Sequence, residues 1–482
     1  MTVNRRNFLV GTAAAAASVA AALPKASAAA GQPQSAPAQK PNVIIYHSDQ
    51  FRWDFVGANG LNSSTQTPNL DALAAQGTNF NHAVTNQPVC APSRSVLMTG
   101  RYATETGVWH NGLGLKEDLP TIATEFRKAG YTANYIGKWH LCPGPQFAGG
   151  SRGYVPPEHR GGFLDLWQAS NELEFTTHPY YGTIWDRDGN EIDFKDEYRV
   201  DFLTDLAEKF LRQKQDKPFL LVISQLEPHQ QNDLHRMVGP KGSAERFINA
   251  FVPADLREFP GDWHQQLPDY YGACESIDAS VGRLRRVLDD EGLADNTIFV
   301  FMSDHGCHFM TRNQEYKRST HNSSLRVPLL MHGPGFEIGR QIQELVGIID
   351  IAPTLMDAAG VPIPPSMKGK SFLSLPRDAK ARAAWPKSQY IQISESMTGR
   401  AIRTPDWTYC IADPTGATDK PTSTNYHEYQ LYDQRNDPNE LVNLAGRKEY
   451  RAIADELQAQ LKPLIVATGE DEPDIVPAKL YP

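Results

Sequence analysis

The part of the chain with the clearest potential for chemistry is VCAPSRSVLMTGRY, residues 89–102. In it Cys90 precedes Pro92 and Arg94, and a helix is predicted to begin at this point. A thiol at a helix start lies at the positive end of the dipole, where a low-pKa thiolate can serve as a nucleophile. A packed core thiol, half of a disulfide, a metal ligand and the precursor of another group are the alternatives.

Two pairs of candidate metal ligands lie far apart in the sequence. Asp49 and Gln50 end one β-rich run, and Asp304 and His305 end another. Carboxylate and amide oxygens suit a hard divalent cation such as calcium. One such Asp alone would be interpreted as a loop or helix cap, but two adjacent pairs at two strand ends favour a metal site. A thiolate matches this cation poorly, so an oxygen nucleophile would fit it better than the Cys90 thiol.

A second set of side chains could surround a tetrahedral anion. Arginine binds such an anion bidentately, and lysine binds it as a point charge. The candidates are Arg94, Lys138, His140, His229 and Lys317. Taken alone, the last of them would be predicted to be a solvated surface lysine.

The segments that must position these side chains alternate between strands and helices. Strands are predicted for residues 41–49, 131–137, 218–228, 296–304, 327–334 and 344–350. Helices are predicted for residues 67–77, 120–130, 199–213, 270–290 and 352–360. The first helix has Thr67 as its cap, Pro68 at its first position and Gly77 as its stop signal.

This alternation predicts an α/β fold with a mostly parallel central sheet sandwiched by helices. Ligands of such sheets bind beyond the carboxyl ends of the strands. Four of these ends carry metal-binding or acid–base residues, namely Asp49 with Gln50, Lys138 with His140, His229, and Asp304 with His305. We therefore expect one site at this edge of the sheet.

The N-terminal residues 1–28 have the features of a twin-arginine (Tat) export signal. Arg5 and Arg6 precede an Ala-rich apolar run, which ends in an A-x-A cleavage site. A membrane anchor is the alternative, but the run is short for a span. We therefore expect export through the Tat translocon to the periplasm or the extracellular space, with no stable membrane span after cleavage.

The rest of the chain is predicted to form a linker and two domains. Residues 29–40 have the composition of a flexible linker. Residues 41–370 carry all the candidate site residues and form the predicted catalytic domain. Residues 371–482 differ in character and predict a smaller C-terminal α+β domain.

Overall composition excludes some classes of function. The chain of 482 residues has a net charge of -9, which argues against nucleic-acid binding. Five cysteines are too few, and odd in number, for a disulfide scaffold. If Cys90 has a separate chemical fate, the remaining four could form pairs, and these are Cys142, Cys274, Cys307 and Cys410.

The sequence from Cys90 to Arg94, followed by Thr99-Gly100-Arg101, resembles the signature of the type I sulfatases in the alkaline phosphatase superfamily. The chain is similar to exported bacterial carbohydrate and aryl sulfatases over nearly all of its mature length. Further matching segments are PNVIIYHSDQ, IGKWHL, EPHQ, SDHG, SLRVPLL with Lys317 seven residues before Ser324, and YQLYDQRNDPNELVNLA.

The resemblance implies a fate for Cys90. In this family a maturation enzyme oxidises the cysteine to formylglycine, and the hydrated aldehyde, a gem-diol, binds the divalent cation. The implied metal ligands are Asp49, Gln50, Asp304 and His305 together with the converted residue 90. One hydroxyl attacks sulfur with help from Asp304, and the second later expels sulfate.

The resemblance also implies roles for the remaining residues. Arg94, Lys138 and Lys317 would stabilise charge on the sulfate oxygens, and the metal would polarise one of them. His229, with Lys317, would protonate the leaving alcohol, and His140 would act as the base in sulfate release.

Four residues depart from the more usual pattern of the family, and His321 and Asn322 stand where aromatic and acidic residues are more usual. Gln50 and His305 stand where Asp and Asn are common. Phosphonate and phosphodiester hydrolases of the same fold include members with Gln and His. A phosphonate monoester or phosphodiester hydrolase is therefore an open alternative to a sulfatase, and Mn²⁺ is an open alternative to Ca²⁺.

The expected substrate is a sulfated carbohydrate, with an aryl sulfate as the alternative. Aromatic faces bind sugars, but an aromatic-rich insertion is more often a satellite hydrophobic core. The aromatic residues concerned are Phe147, Tyr154, Phe163, Trp167, Phe175, Tyr180, Tyr181 and Trp185. Other residues that could reach the pocket are His178, His308, Arg312 and His321. A non-catalytic binder of sulfated glycans is the alternative from another class. Such a binder would not need all six predicted catalytic residues, which are Cys90, Arg94, Lys138, His140, His229 and Lys317.

Overall fold

The computed structural model describes residues 40–336 and 339–481. The predicted export signal and all but the last residue of the predicted linker lie outside the described residues. Within the described ranges, no helix combines the length and apolar character that crossing a membrane requires.

The strands are short at the edges and long in the centre of the main sheet. They are β1 Asn42–Asp49, β2 Thr78–Phe80, β3 Ala83–Val84, β4 Thr132–Lys138, β5 Trp167–Ser170, β6 Thr177–His178, β7 Tyr181–Asp186, β8 Glu191–Lys195, β9 Phe219–Pro228, β10 Thr297–Ser303, β11 Leu329–His332, β12 Arg340–Ile342, β13 Val346–Gly347, β14 Gln389–Ile393, β15 Gly399–Arg403, β16 Trp407–Ala412, β17 Asn425–Asp433 and β18 Asp474–Val476.

The helices cover the strands and connect them. They are α1 Pro68–Gln76, α2 Cys90–Thr99, α3 Ala103–Thr106, α4 Ile122–Lys128, α5 Leu173–Thr176, α6 Arg199–Leu211, α7 Ser243–Arg246, α8 Ala254–Arg257, α9 Trp263–Asp290, α10 Asn322–Leu325, α11 Ile351–Ala358, α12 Ala379–Ala384 and α13 Arg451–Ala467.

The main sheet has the strand order β12-β2-β11-β10-β1-β9-β4-β5-β7-β6, and β8 pairs with β7. The five central strands β10, β1, β9, β4 and β5 are mutually parallel. Antiparallel pairs flank them, where β11 meets β10 and β7 meets β5. The predicted mostly parallel sheet is therefore confirmed for the strands that carry the site.

Hydrophobic side chains on β1 point alternately to two separate cores, as the period of a strand requires. Val43 and Ile45 join the core that includes α2, α4 and α11. Ile44 and Tyr46 join the core that includes α1, α6 and α9. Both faces of the sheet are thus covered, and every residue of β1 is buried.

The predicted helices are present, with two differences of detail. Thr67 is the N-cap residue of α1, but its hydroxyl bonds Asp71 and the amide of Gly57 instead of an N-terminal amide of the helix. Helix α9 begins at Trp263, seven residues earlier than predicted, and contains Pro268. Leu267 and Tyr270 are buried in the core that includes α1 and α6. This burial offsets the loss of the backbone hydrogen bond that proline cannot donate.

The C-terminal region forms its own five-stranded sheet in the order β14-β15-β16-β17-β18. Helix α13 packs on this sheet through Leu457, Leu461 and Ile465. A further hydrophobic cluster joins Val84 and Leu325 to strands β14 and β15. The α+β character matches the prediction, while the boundary near residue 370 stays a prediction.

All five cysteines of the chain are buried free thiols. The disulfide pairing that the sequence left open is therefore not formed. Burial raises the pKa of Cys142 and of Cys307 to about 12, which keeps both as neutral thiols.

Candidate active site

The parallel arrangement of β10, β1, β9 and β4 brings four distant segments of sequence to one edge of the sheet. Asp49 is the last residue of β1, and Lys138 is the last residue of β4. His229 directly follows β9, and Asp304 directly follows β10. All four side chains are buried, as a site at the carboxyl ends of parallel strands would require.

Cys90 enters this edge as the first residue of α2, after Val89 in an extended conformation. The hydroxyl of Ser93 donates to the backbone oxygen of Asp304 over 2.8 Å and so attaches the helix to β10. The side chain of Asn111 accepts a hydrogen bond from the amide of Ala91. The thiol is therefore held at the positive end of the helix, beside the strand ends.

The predicted metal ligands form a compact buried group. The ligand atoms of Asp49, Cys90, Asp304 and His305 all lie within 4.8 Å of one another. Nδ1 of His305 donates to the carbonyl of Gly306, which leaves the lone pair of Nε2 facing the group. Oδ2 of Asp304 has no hydrogen-bond partner among the described residues. This donor set fits one divalent cation.

Gln50 lies beside the same group in an uncommon backbone conformation. Its φ of 68° lies in the left-handed region. A residue other than glycine rarely adopts this conformation unless the surrounding structure stabilises it. The backbone amide of Gln50 donates to Oδ1 of Asp304, and its side-chain Oε1 lies 3.3 Å from Nζ of Lys317. Its amide oxygen therefore lies beside Lys317, which itself contacts Cys90, and a role for Gln50 as a metal ligand stays a prediction.

Lys317 is a site residue and not the surface lysine that its position alone would suggest. Its ammonium group donates to Sγ of Cys90 and contacts Nε2 of His229, both over 2.9 Å. Nδ1 of His229 donates to the backbone oxygen of Gln230, so Nε2 is the nitrogen that accepts from the lysine. Lys317 and His229 thus form a pair that can share a proton beside residue 90.

Lys138 and Arg94 are both buried completely and both pair with Asp49. Nζ of Lys138 donates to Asp49 and to Glu174 over 2.9 Å each, which leaves one of its three donors for a ligand. The guanidinium of Arg94 donates to Asp49, to Ser224 and to the backbone oxygen of Lys138. Both of its terminal nitrogens are therefore engaged with the protein, while its Nε has no hydrogen-bond partner among the described residues.

His140 adopts a φ of 60°, and its amide donates to the carbonyl of Asn171. Its Nδ1 has no hydrogen-bond partner within the described residues. Its side chain contributes to lowering the pKa of the Cys90 thiol. The structure thus brings all six predicted catalytic residues and the four predicted protein ligands to one place.

The electrostatics of the site favour negative charge on residue 90 and on Asp49. Burial alone would raise the pKa of the Cys90 thiol, but Lys138, Lys317 and His305 hold it well below its ordinary value. Burial and the neighbouring thiol likewise act against ionisation of Asp49. Lys138, His229 and Arg94 outweigh them and hold the pKa of this carboxyl below its usual range.

Two side chains of the site do not belong to the set predicted from the sequence. Glu174 lies in α5 and binds Lys138, while Ser224 lies on β9 and binds Arg94. Glu174 follows β5 closely and β5 pairs with β4, so the rule of strand ends would reach Glu174 only if β5 itself were predicted. The segment FLDLWQAS lacks the long apolar run that marked the other strands, so β5 was not predicted.

Four further residues are expected to reach the substrate pocket, namely His178, His308, Arg312 and His321. In the described structure none of them contacts Cys90. His308 donates from Nε2 to the carbonyl of Lys317 and so supports the loop that carries the lysine. His178 pairs with Asp233 at the edge of the fold. Arg312 and His321 line a cavity of about 370 Å³ against the C-terminal sheet.

The aromatic insertion divides into core and surface residues. Phe163 and Trp167 are completely buried and pack with Tyr135. The core interpretation therefore holds for this pair, which belongs to the same hydrophobic core as α2, α4 and α11. Three others are substantially exposed, namely Phe147, Phe175 and Tyr181.

Comparison with known proteins agrees with this geometry. The chain matches the sulfatase family over residues 41–361 and the C-terminal family described as N-sulphoglucosamine sulphohydrolase over residues 314–467. It is 30% identical to an ulvan-active sulfatase of Formosa agariphila, over 90% of this chain and 82% of that protein. It is 25% identical to an N-acetylglucosamine-6-O-sulfatase of Bacteroides thetaiotaomicron, over 94% of this chain and 91% of that protein.

A solved structure shares the fold. The crystal structure of a sulfatase described as YidJ from Bacteroides fragilis superposes with a TM-score of 0.74 at 24% identity. The match covers 91% of this chain and 98% of that chain. The family matches and the assembled site lead to the same conclusion. This chain is an enzyme of the sulfatase family, and it is a type I sulfatase of the alkaline phosphatase superfamily.

Proposed function

We propose that this sulfatase releases sulfate from a sulfated carbohydrate, using formylglycine made from Cys90 and one divalent cation. The observation that carries the proposal is the position of the Cys90 Sγ. It lies 2.9 Å from Nζ of Lys317 and within the buried ligand group of Asp49, Asp304 and His305. The sulfur stands in for the oxygens that residue 90 would present after conversion.

The named activities of the relatives support a carbohydrate substrate. One is described as acting on ulvan and another on 6-O-sulfated N-acetylglucosamine. Each aligns over more than four-fifths of this chain. We therefore assign a sulfated saccharide as the substrate and treat aryl sulfates as convenient assay compounds.

The cation would be held by Asp49, Gln50, Asp304 and His305 together with the converted residue 90. When bound, a divalent cation supplies positive charge that polarises a sulfate oxygen and lowers the pKa of an oxygen nucleophile. Three of the four protein ligands offer oxygen, which favours Ca²⁺. The imidazole nitrogen of His305 is also compatible with Mn²⁺.

The lysines would hold the sulfate group. Lys138 retains one N–H donor after its bonds to Asp49 and Glu174, and Lys317 contacts both residue 90 and His229. Both side chains are buried, so their charges act in a medium of low dielectric constant. The nucleophile, once converted, would supply the attacking oxygen of its hydrated aldehyde.

Proton transfer would fall to the two histidines. The hydrogen bond from Nδ1 of His229 to the carbonyl of Gln230 fixes the ring so that Nε2 points at Lys317. A proton on this pair is placed to pass to the leaving alcohol oxygen. Nδ1 of His140, which has no partner in the described part of the chain, is available as a base near residue 90.

Export and maturation belong to the same proposal. The Tat signal of residues 1–28 would carry a chain that has already folded, and Cys90 would be converted by a formylglycine-generating enzyme. The mature protein would act in the periplasm or outside the cell. The twin arginine Arg5-Arg6, the Ala-rich run after it and the A-x-A cleavage site support this part of the proposal.

The proposal is tested by expressing the chain with a formylglycine-generating enzyme and supplying sulfated mono- and disaccharides. We expect sulfate release from at least one saccharide, and loss of release in Cys90→Ala. Binding of sulfated saccharides without any release by the converted enzyme would contradict the proposal and favour a glycan-binding protein. Turnover of 4-nitrophenyl sulfate alone would contradict the carbohydrate assignment.

A further inference from the structure

A buried carboxylate accepts a hydrogen bond from Lys138, the lysine proposed to hold the sulfate group. Oε1 of Glu174 accepts from Nζ of Lys138 over 2.9 Å, and the glutamate is only 3% exposed. Neither the sequence motifs nor the proposed reaction uses this residue. A negative charge beside an anion-binding lysine weakens the attraction for anions, so its presence calls for a physical explanation.

Both the carboxylate and the backbone of Glu174 are held by hydrogen bonds. It lies in α5, and its backbone oxygen accepts from the side chain of Gln231, which also bonds the backbone of Thr177. Burial acts to raise the pKa of Glu174, but Lys138, His140 and His229 outweigh it and lower this pKa to about 2. The carboxylate is therefore a fixed, ionised part of the wall of the site.

The buried side chains around residue 90 carry charges of both signs, and Glu174 changes their balance. Three cations, Arg94, Lys138 and Lys317, surround residue 90, and the two acidic metal ligands are Asp49 and Asp304. Glu174 adds a third negative charge to this buried set. Its recorded ion-pair partner in the described ranges is Lys138 alone, so its charge also reaches a ligand bound there.

Sulfate and phosphate monoesters differ in charge although their shapes are alike. A sulfate monoester carries a single negative charge, whereas a phosphate monoester carries close to two above its second pKa of about 6. A fixed negative charge beside Lys138 repels the doubly charged ester about twice as strongly as the singly charged one. We propose that Glu174 is a specificity-determining residue that selects singly charged esters over doubly charged phosphate monoesters.

This inference rests on the proposed function and specifies the selectivity of the same site. It is tested with converted holoenzyme at about pH 8, where phosphate monoesters are fully ionised. Three assay compounds share one leaving group: 4-nitrophenyl sulfate, bis(4-nitrophenyl) phosphate and 4-nitrophenyl phosphate. The first two carry one negative charge and the third carries two.

In Glu174→Gln we expect kcat/KM for the phosphate monoester to rise relative to both singly charged compounds, by a factor of about 10 to 100. Glu174→Asp keeps the charge and should keep the wild-type ratios, even if overall activity falls. Glu174→Asn has a side chain of the same size as that of Glu174→Asp but without the negative charge, so it should behave like Glu174→Gln. The Asp and Asn pair therefore separates charge from packing.

Glu172 provides a matched control two positions away. Its carboxylate lies 3.3 Å from the half-exposed Arg152 and has no recorded bond to Lys138 in the structure. Glu172→Gln should leave the ratios within about threefold of wild type, because Arg152 pairs with its carboxylate and no hydrogen bond joins that carboxylate to Lys138 in the described structure.

Equal loss of activity on all three compounds in Glu174→Gln would overturn the inference and reduce Glu174 to a support for Lys138. A parallel rise for the phosphodiester and the phosphate monoester would also overturn it, since the site would then respond to phosphorus and not to charge. A wild-type enzyme inactive on sulfates would contradict the proposed function instead. The ratio of phosphate monoester to phosphodiester hydrolysis would still decide the role of Glu174.

Discussion

Nζ of Lys317 lies 2.9 Å from Sγ of Cys90, although 227 positions separate the two residues in the sequence. The same ammonium group contacts Nε2 of His229. A single lysine therefore joins the residue that would become the nucleophile to the residue that would protonate the leaving group.

Replacing this lysine should impair chemistry more than binding. We expect Lys317→Ala to lower kcat by a factor of about 10²–10³, because a buried charge that stabilises the transition state is lost. Lys209→Ala, at an exposed lysine of α6, should leave kcat unchanged. Steady-state kinetics on 4-nitrophenyl sulfate measure both, and wild-type kcat in Lys317→Ala would remove the residue from the mechanism.

Arg94 should prove to be as important for the fold as for the reaction. Its guanidinium bonds Asp49, Ser224 and the backbone oxygen of Lys138 without exposure to solvent. Lysine cannot reproduce this fork, so Arg94→Lys should lower the free energy of unfolding by about 3–5 kcal/mol.

Denaturant unfolding of the variant measures this loss. Arg212→Lys is the matched control, because Arg212 is exposed and pairs with Glu291 at the surface. An exposed ion pair contributes less than about 1 kcal/mol. A loss in Arg94→Lys as small as that of the control would show that the buried contacts do not stabilise the fold.

Removing the cation should lower both activity and thermal stability. Binding of calcium at about 100 times its Kd would stabilise the folded state by about 2.7 kcal/mol. Asp304→Asn should abolish this calcium-dependent rise in Tm, because it removes the negative charge of a carboxylate that lies in the ligand group.

Chelator treatment followed by calorimetry with added Ca²⁺ or Mn²⁺ identifies the ion that restores Tm and activity. Asp290→Asn, at the exposed end of α9, serves as the control and should retain the full shift. An unchanged metal-dependent shift in Asp304→Asn would place the cation elsewhere.

Glu440 should make stability depend on pH. Burial raises its pKa from 4.5 to about 7, although Arg403 and hydrogen bonds from Asn322 and Gln434 act in the opposite direction. Between these values the folded state holds a proton that the unfolded state has lost. Stability from this group therefore falls as pH rises through that window, by about 3 kcal/mol in all.

Glu440→Gln should remove this part of the pH dependence. Unfolding free energies compared at about pH 5 and about pH 8 give the test, with the exposed Glu449→Gln as control. If Glu440→Gln shows the same pH slope as wild type, the carboxyl is ionised in the folded state at a normal pKa.

The strand-end pattern predicted most of the site because it depends on topology. Asp49 and Lys138 are the last residues of central parallel strands, and His229 and Asp304 directly follow two others. The apolar runs of these strands are visible in the sequence. Any parallel sheet containing those strands brings their ends together.

Other features could not be predicted because they depend on packing between distant segments. Glu174 follows a strand of four residues that lacks a clear pattern, and its bond to Lys138 arises from the pairing of β5 with β4. The engagement of Arg94 by Ser224 likewise requires the register of β9. Helix α9 continues through Pro268 because the sheet surface beneath it is apolar, which the local sequence does not show.

The most direct test of the central claim is peptide mass spectrometry across Cys90, on protein produced together with a formylglycine-generating enzyme. We predict the mass loss of thiol-to-aldehyde conversion on the peptide that ends at Arg94, accompanied by sulfatase activity. An unmodified thiol in protein that nevertheless hydrolyses sulfate esters would contradict the account, because the reaction would then proceed without the proposed nucleophile.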